Sequence, residues 1–538
     1  MYVAIVLCSR QFEVMGSLSP LDPSSFSRPE QAIIKHVDLS YDVDFDKKVL
    51  NGVAVLTIEV LDYIENVILD TSELDIKSIE LKDGSALQFV LGDPVPNYGS
   101  KLTIDLPQSA APEQQLQIKI KFNTSPNATA LQWLDANQTS GKKHPYLFSQ
   151  CQPIHARSIL PCQDTPAVKF TYEAEITAPE PFTVLMSAIR LNANANKTSF
   201  SQPVPIPSYL LALAIGVLES RKLGPSWTGN LVTNRNFEHF WLNEGFTVFL
   251  ERKVAASLIP DPEESRKSRD FHSLLGLQEL SETINSNLGA ENPLTRLVPD
   301  LDQTHPDDSF SRVPYEKGSL FLRYLEDLVG GAAVFDEFMR SYLNHFQSKS
   351  LDTDQFKAYL LNYFKGNEKL GQVDWDSWLY KSGMPPVIPE YDTSMTKSVN
   401  DLLAKINSSN TTFSYEDIKS FTPHQIINLL QSLIDQEPLP VEKLRYLGKE
   451  YKINDSKNTE IIYRWLRLCI RSKDQDKVDD ALAFVNHQGR MKYVRPIYRD
   501  LYAWEDVREQ AIKNFLENEP SMMHVSAYTL RKDLHLSE

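Results

Sequence analysis

The spacing of the apolar residues changes partway along this chain, and that change constrains its architecture more than any other feature. From about residue 35 to 220 the pattern alternates with period two. Tyr41, Val43 and Phe45 fall on one face, and after a polar turn at Asp46 to Lys48 the run Val49 to Leu61 alternates again, as half-buried strands do. Similar runs at Leu116 to Phe122, Tyr172 to Ile176 and Tyr209 to Leu218 are set apart by Pro, Asn and Gly clusters. They predict a large antiparallel β domain. After Trp227 the period becomes helical: Phe237, Phe240, Trp241, Val248 and Phe249 recur at helix spacing, and Leu320, Leu322, Leu325 and Leu328 begin another apolar helix.

Gly383 to Tyr391 holds three prolines and cannot continue a helix, so it reads as an extended linker. Beyond it, Thr422-Pro423-His424-Gln425 is a capping-box start with proline at the first helical position. The helical runs that follow, including Tyr463 to Arg471 and Asp479 to Asn486, predict a stacked-helix domain of solenoid type, similar to armadillo or HEAT arrays. The fold class is therefore multidomain α+β, divided at 1–34 (leader), 35–225 (β domain), 226–382 (helical), 383–394 (linker) and 395–538 (helical).

With 538 residues, 42% hydrophobic and 23% charged, the chain can build several cores. Its formal charge of -16 argues against nucleic-acid binding, which needs a basic surface to displace counterions. No apolar run approaches the roughly 18 residues of a spanning helix, so no membrane partner is expected. Tyr2 to Cys8 is apolar but lacks a preceding Lys or Arg and a clear cleavage site, unlike a signal peptide. The four cysteines, Cys8, Cys151, Cys162 and Cys469, form neither a disulfide framework nor a C-x-x-C pair. A cytoplasmic, monomeric protein is the expectation.

Six motifs carry more specific information: Tyr146 to Gln152 (YLFSQCQ), Leu160 to Pro166 (LPCQDTP), Ser226 to Thr233 (SWTGNLVT), Trp241 to Gly245 (WLNEG), Val313 to Gly318 (VPYEKG) and Gly489 to Lys492 (GRMK). In order and spread they resemble the M1 family of zinc aminopeptidases, and the last resembles its leukotriene A4 hydrolase and aminopeptidase B branch. The resemblance implies a thermolysin-like (gluzincin) catalytic domain over 226–382, peptide substrates, and zinc in the intact family. Glu244 matches its third zinc ligand and Tyr315 the tyrosine that steadies the tetrahedral oxyanion. Gln150, Cys151 and Gln152 match a substrate-contact loop, and Arg490, Met491 and Lys492 a segment whose cations receive the substrate carboxylate. Asp307 matches an aspartate used in the branch's epoxide hydrolysis, whose partner tyrosine is replaced here by Phe310.

The family's H-E-x-x-H motif is missing. That motif places two histidines one helical turn apart and a general base between them. Counting back from Glu244 by the family spacing puts the histidines at 221 and 225, where this chain has Arg221 and Pro225. None of the eleven histidines lies four residues from another, and His239 and His272 read as packing residues. Ser226-Trp-Thr-Gly-Asn follows where the family places it after the second histidine. The pattern implies a deletion of about eighty residues between Pro225 and Ser226, including the G-x-M-E-N motif; Gly289-Ala-Glu-Asn reads as a coincidental likeness to it.

Three readings follow: a catalytically inactive variant holding no stoichiometric zinc, a non-catalytic binding or scaffold protein, or an incomplete sequence of an active hydrolase. The deletion also removes most of a sheet, so Phe237, Phe240, Trp241 and the leucines of Leu320 to Leu328 are expected to lose their cover, leaving the middle block loosened.

Overall fold

The computed structural model describes residues 18–139, 141–194, 196–218, 230–408, 412–522 and 524–536. The apolar leader Tyr2 to Cys8, the replacements Arg221 and Pro225, and the inferred junction at Pro225–Ser226 lie outside the described residues. The chain divides into two compact units. The first comprises 1–133, 146–251 and 277–389, and the second 134–145, 252–276 and 390–538.

In the first unit the period-two region forms a seven-stranded sheet. Its spatial order is Ile189–Asn194, Lys197–Pro207, Lys169–Thr177, Ala32–Asp44, Val49–Val60, Gln115–Asn123 and Asp75–Leu81. Neighbours run antiparallel except Ala32–Asp44 beside Lys169–Thr177, which is parallel. Along Val49–Val60 every second residue is buried, the alternation expected when one face meets a core. Gly52 has a steric reason to lack a side chain, because an added Cβ would sit 2.5 Å from the Phe122 ring. Four-stranded and three-stranded sheets complete this part.

The strand expected over Tyr209 to Leu218 is shorter than the sequence implied. Ser208–Leu210 is a turn of 3-10 helix and only Leu213–Gly216 is strand. The reason is local: Pro207 lacks an amide for a ladder, and Ser208 Oγ donates to the buried Asp164 carboxylate at 2.6 Å, pinning the turn.

The middle block is helical, as expected: Trp241–Ser257, Pro262–Glu282, Gly318–Val329, Ala332–Phe346, Thr353–Tyr363 and Trp375–Leu379. Strand there is limited to Thr233–Asn234 pairing in parallel with Ser350–Leu351 among the described residues. The expected loss of cover does not occur. Trp241, Leu322 and Leu325 are fully buried, and Phe237 and Phe240 are 4% and 6% exposed. Aromatic rings of the helices supply the cover: Trp241 meets Phe321 at 5.8 Å and Phe356 at 5.4 Å, and Phe246 stacks on Tyr342 at 5.2 Å. Phe237 and Phe240 pack instead with Phe26, Tyr98, Ile154 and Tyr209 of the β part. Large side chains have filled space that a sheet was expected to fill. The Lys169 ammonium fastens the two parts, donating to the carbonyls of Asn230, Leu231 and Lys349 at 3.4, 3.1 and 3.0 Å.

The start of the proline-rich stretch is tied into this unit as well. Gly383 N–H donates to Thr295 Oγ1 at 2.8 Å, and the buried Lys317 ammonium donates to the carbonyls of Thr295, Lys381 and Gly383 at 3.0, 3.2 and 2.9 Å.

The second unit is helical: Ser394–Asn407, Pro423–Ile434, Val441–Glu450, Thr459–Arg471, Val478–His487, Met491–Ala503, Glu505–Asn518 and His524–Asp533 form most of it. The capping box at Thr422 is present, its hydroxyl accepting from Gln425 N–H with Pro423 at the first helical position. Among the described residues no helix is long and apolar enough to cross a membrane.

Candidate active site

The residues matched to the catalytic centre meet where helix Trp241–Ser257 crosses helix Gly318–Val329. The crossing is a glycine pair: a Cβ on Gly245 would lie 2.9 Å from the Gly318 Cα and carbonyl carbon and 3.2 Å from the Pro314 carbonyl oxygen. Only glycine lets the two backbones approach this far. The approach brings Glu244, on the first turn of its helix, into electrostatic reach of Tyr315 on the π-helical turn Val313–Lys317. Asn243 holds the helix start, its Oδ1 accepting from Asn234 N–H at 2.8 Å and its Nδ2 donating to the Tyr209 hydroxyl at 3.2 Å.

The electrostatics follow from burial. Burial pushes the Glu244 carboxyl up to about 7. Burial, with Glu244 nearby, pushes the Tyr315 phenol up to about 12, against the pull of Arg312. A zinc ion in this family takes two imidazoles and a carboxylate. Here the donor set is one carboxyl, which its surroundings make harder to ionise than usual. Among the described residues no group of three His, Cys, Asp or Glu side chains could hold a metal ion. The described residues do not fit the metal. His239 is committed elsewhere: its Nδ1 lies 2.9 Å from Thr353 Oγ1, and burial pushes it down to about 4. His272 meets His424 ring to ring at 4.4 Å.

The other candidates fall in both units. Gln150 is exposed, with its Nε2 donating to the Gln152 carbonyl at 3.4 Å, and Cys151 is buried, which raises its thiol. Arg490, Met491 and Lys492 lie at the start of helix Met491–Ala503 in the second unit. Lys492 is already paired, its ammonium 2.6 Å from Glu460, which also accepts from Arg464 and Tyr493. Burial opposes ionisation of Glu460, but these donors outweigh it and hold the carboxyl down to about 2. Arg490 is exposed. Glu291 of Gly289-Ala-Glu-Asn is exposed, and Asn292 beside it caps a short 3-10 turn.

Among the described residues Asp307 is bonded to a histidine rather than to Glu244 or Tyr315. Its Oδ2 lies 3.0 Å from His155 Nε2, and His155 Nδ1 lies 3.0 Å from Thr129 Oγ1. Sequence reasoning missed Thr129, His155 and Tyr209. No local spacing could have revealed them, since His155 is 26 residues from Thr129 and 152 from Asp307.

Known proteins resemble this chain along nearly its whole length. Models described as Peptidase M1 N-terminal domain, Peptidase family M1 domain, and Leukotriene A4 hydrolase, C-terminal, match residues 34–210, 222–378 and 421–534. A leukotriene A-4 hydrolase of Xenopus laevis is 39% identical over 612 residues, covering 96% of this chain and 99% of the relative. A leucine aminopeptidase 2 of Aspergillus terreus is 34% identical, covering 96% and 98%. The structure of native yeast LTA4 hydrolase superposes with a TM-score of 0.89 at 31% identity, covering 97% of this chain and 99% of that one. The Xenopus match spans more residues than the 538 of this chain, so that relative contains residues without a counterpart here. With all three domain models in order and relatives above 30% identity end to end, this chain belongs to peptidase family M1, on its leukotriene A4 hydrolase branch.

Proposed function

We propose that this protein is a catalytically silent aminopeptidase-like member of its family that binds peptides without hydrolysing them through zinc. The observation that carries the reading is the donor set around Glu244: one half-buried carboxyl, pushed up to about 7, with the two imidazole positions and the general base absent from the sequence. Tyr315 retains its place beside Glu244, but without a metal-bound carbonyl a phenol donor has no oxyanion to steady. Peptide binding rests on the retained substrate elements, Gln150 to Gln152 and the exposed Arg490 beside Met491 and Lys492. The buried core of the middle block favours a stable binding protein, since its aromatic cluster is closed without the missing sheet. Domain limits near 35–225, 226–382 and 395–538 belong to the same proposal. So do a monomeric state and a cytoplasmic location, the latter supported by the buried free thiols of Cys151, Cys162 and Cys469.

The test is elemental analysis of purified protein combined with turnover of alanine and arginine anilides. The expected result is far less than one zinc per chain and turnover at background. About one zinc per chain, lost on Glu244→Ala, would overturn the proposal, as would turnover abolished by Tyr315→Phe. A second reading, that the natural protein carries the absent segment and is an active enzyme, is favoured by the longer span of the Xenopus match. Sequencing transcripts across the Pro225–Ser226 junction decides between them.

A further inference from the structure

A cavity of about 750 Å³ in the first unit is lined by Thr129, His155 and Asp307, with Glu73, His305 and Asp308 around them. The first three form a continuous relay. Thr129 Oγ1 lies 3.0 Å from His155 Nδ1, and His155 Nε2 lies 3.0 Å from Asp307 Oδ2. The direction of the relay follows from chemistry. An ionised carboxylate only accepts, so His155 Nε2 carries the proton it donates to Asp307, and in the neutral imidazole Nδ1 is then a lone-pair acceptor facing the Thr129 hydroxyl. Burial would make the Asp307 carboxyl harder to ionise, but the His155 hydrogen bond together with the nearby His155 and His305 rings outweighs this and holds it below the usual range.

Each member is held by backbone anchors. His155 N–H donates to the Cys151 carbonyl at 2.8 Å, and the amide after Thr129 donates to Ser158 Oγ at 3.0 Å. Asp307 N–H donates to His305 Nδ1 at 3.1 Å, placing its carboxylate on the turn Pro306–Ser309. Thr129 is exposed, so its hydroxyl is open to a ligand in the cavity. A hydroxyl on an imidazole nitrogen, with the other nitrogen on a carboxylate, is the arrangement that activates a nucleophile.

We propose that Thr129, His155 and Asp307 form a nucleophilic triad that hydrolyses small carboxylic esters in this cavity without a metal. Thr129 Oγ attacks the acyl carbon while His155 Nδ1 takes its proton. The ester C–O bond breaks, and the leaving alkoxide departs as the alcohol with that proton. Water then attacks the acyl-threonine, giving its proton to Nδ1; the carboxylic acid leaves and the proton returns to Thr129. Asp307 is a positioning residue that fixes the imidazole tautomer. Arg157 on the wall is already paired with Asp164, which leaves Glu73 and Asp308 to repel anions, so the acceptable esters are neutral or cationic and the carboxylate product is expelled. The cavity has the size of small-molecule sites.

The experiment is hydrolysis of p-nitrophenyl acetate by the full chain in the presence of EDTA, which separates this activity from any zinc peptidase. Turnover is expected to persist in chelator and to fall by about 10²-fold or more in Thr129→Val and in His155→Gln. Asp307→Asn should lower kcat with little change in KM and change the pH–rate profile, because the amide selects the wrong tautomer. Diisopropyl fluorophosphate should add one diisopropylphosphoryl group, mapped to the peptide containing Thr129, as fluoride leaves. Thermal melts within about 2 °C of the unaltered protein show that the variants are folded. Ester hydrolysis no faster than that of Thr129→Val, or a label on any other residue, overturns the proposal.

Discussion

Replacing Gly245 by alanine tests the geometry on which the candidate site rests. The new Cβ would meet two Gly318 backbone atoms at 2.9 Å and the Pro314 carbonyl oxygen at 3.2 Å. Carbon atoms settle at about 3.5 to 4.0 Å, so the helices must part by roughly half an ångström or more. Backbone atoms cannot swing aside as a side chain does, which places the overpacking cost toward the upper end of about 1–3 kcal/mol. Alanine recovers up to about 1 kcal/mol because glycine weakens a helix interior. The net expectation is a loss of about 1–2 kcal/mol, read as a lower urea midpoint by tryptophan fluorescence. Trp241 lies on the displaced helix, against Phe321 of the other, so the probe sits at the crossing. Gly371→Ala is the control: its added Cβ meets nothing within 4 Å, and the midpoint should move by less than about 0.5 kcal/mol. A Gly245→Ala protein as stable as the parent, or more stable, would refute the close crossing.

Two further outcomes follow from His239 and Lys317. His239, pushed down to about 4 by burial, stays neutral in the fold while the unfolded chain takes up a proton below about 6.5. The unfolded state therefore binds more protons between these values, and stability is lost as pH falls from about 6.5 to 4, by up to about 3 kcal/mol from this residue. Thermal melts of His239→Asn across that range should show a flatter acid limb; an unchanged slope would contradict the assignment. Lys317→Met leaves the carbonyls of Thr295, Lys381 and Gly383 without their donor. A loss of about 3 kcal/mol or more is expected in denaturant titration, since each buried unsatisfied group costs roughly 1–3 kcal/mol. A change below about 1 kcal/mol would show that water replaces the ammonium.

Much of the architecture is set by local pattern. The period-two run at Val49 to Leu61 and the capping box at Thr422 appear at those places because backbone hydrogen bonding and side-chain alternation act within a few residues. The missing histidines are equally local, a matter of spacing that no packing can restore. Tertiary structure decided the rest. Trp241, Phe321 and Phe356 close a core without the expected sheet because large rings fill space in ways that periodicity does not encode. Lys492, matched by sequence to a carboxylate receptor, proves to be paired with Glu460 one helix away. The Thr129–His155–Asp307 relay is assembled from three segments far apart in the chain, and only the folded backbone brings a hydroxyl, an imidazole and a carboxylate within hydrogen-bonding distance.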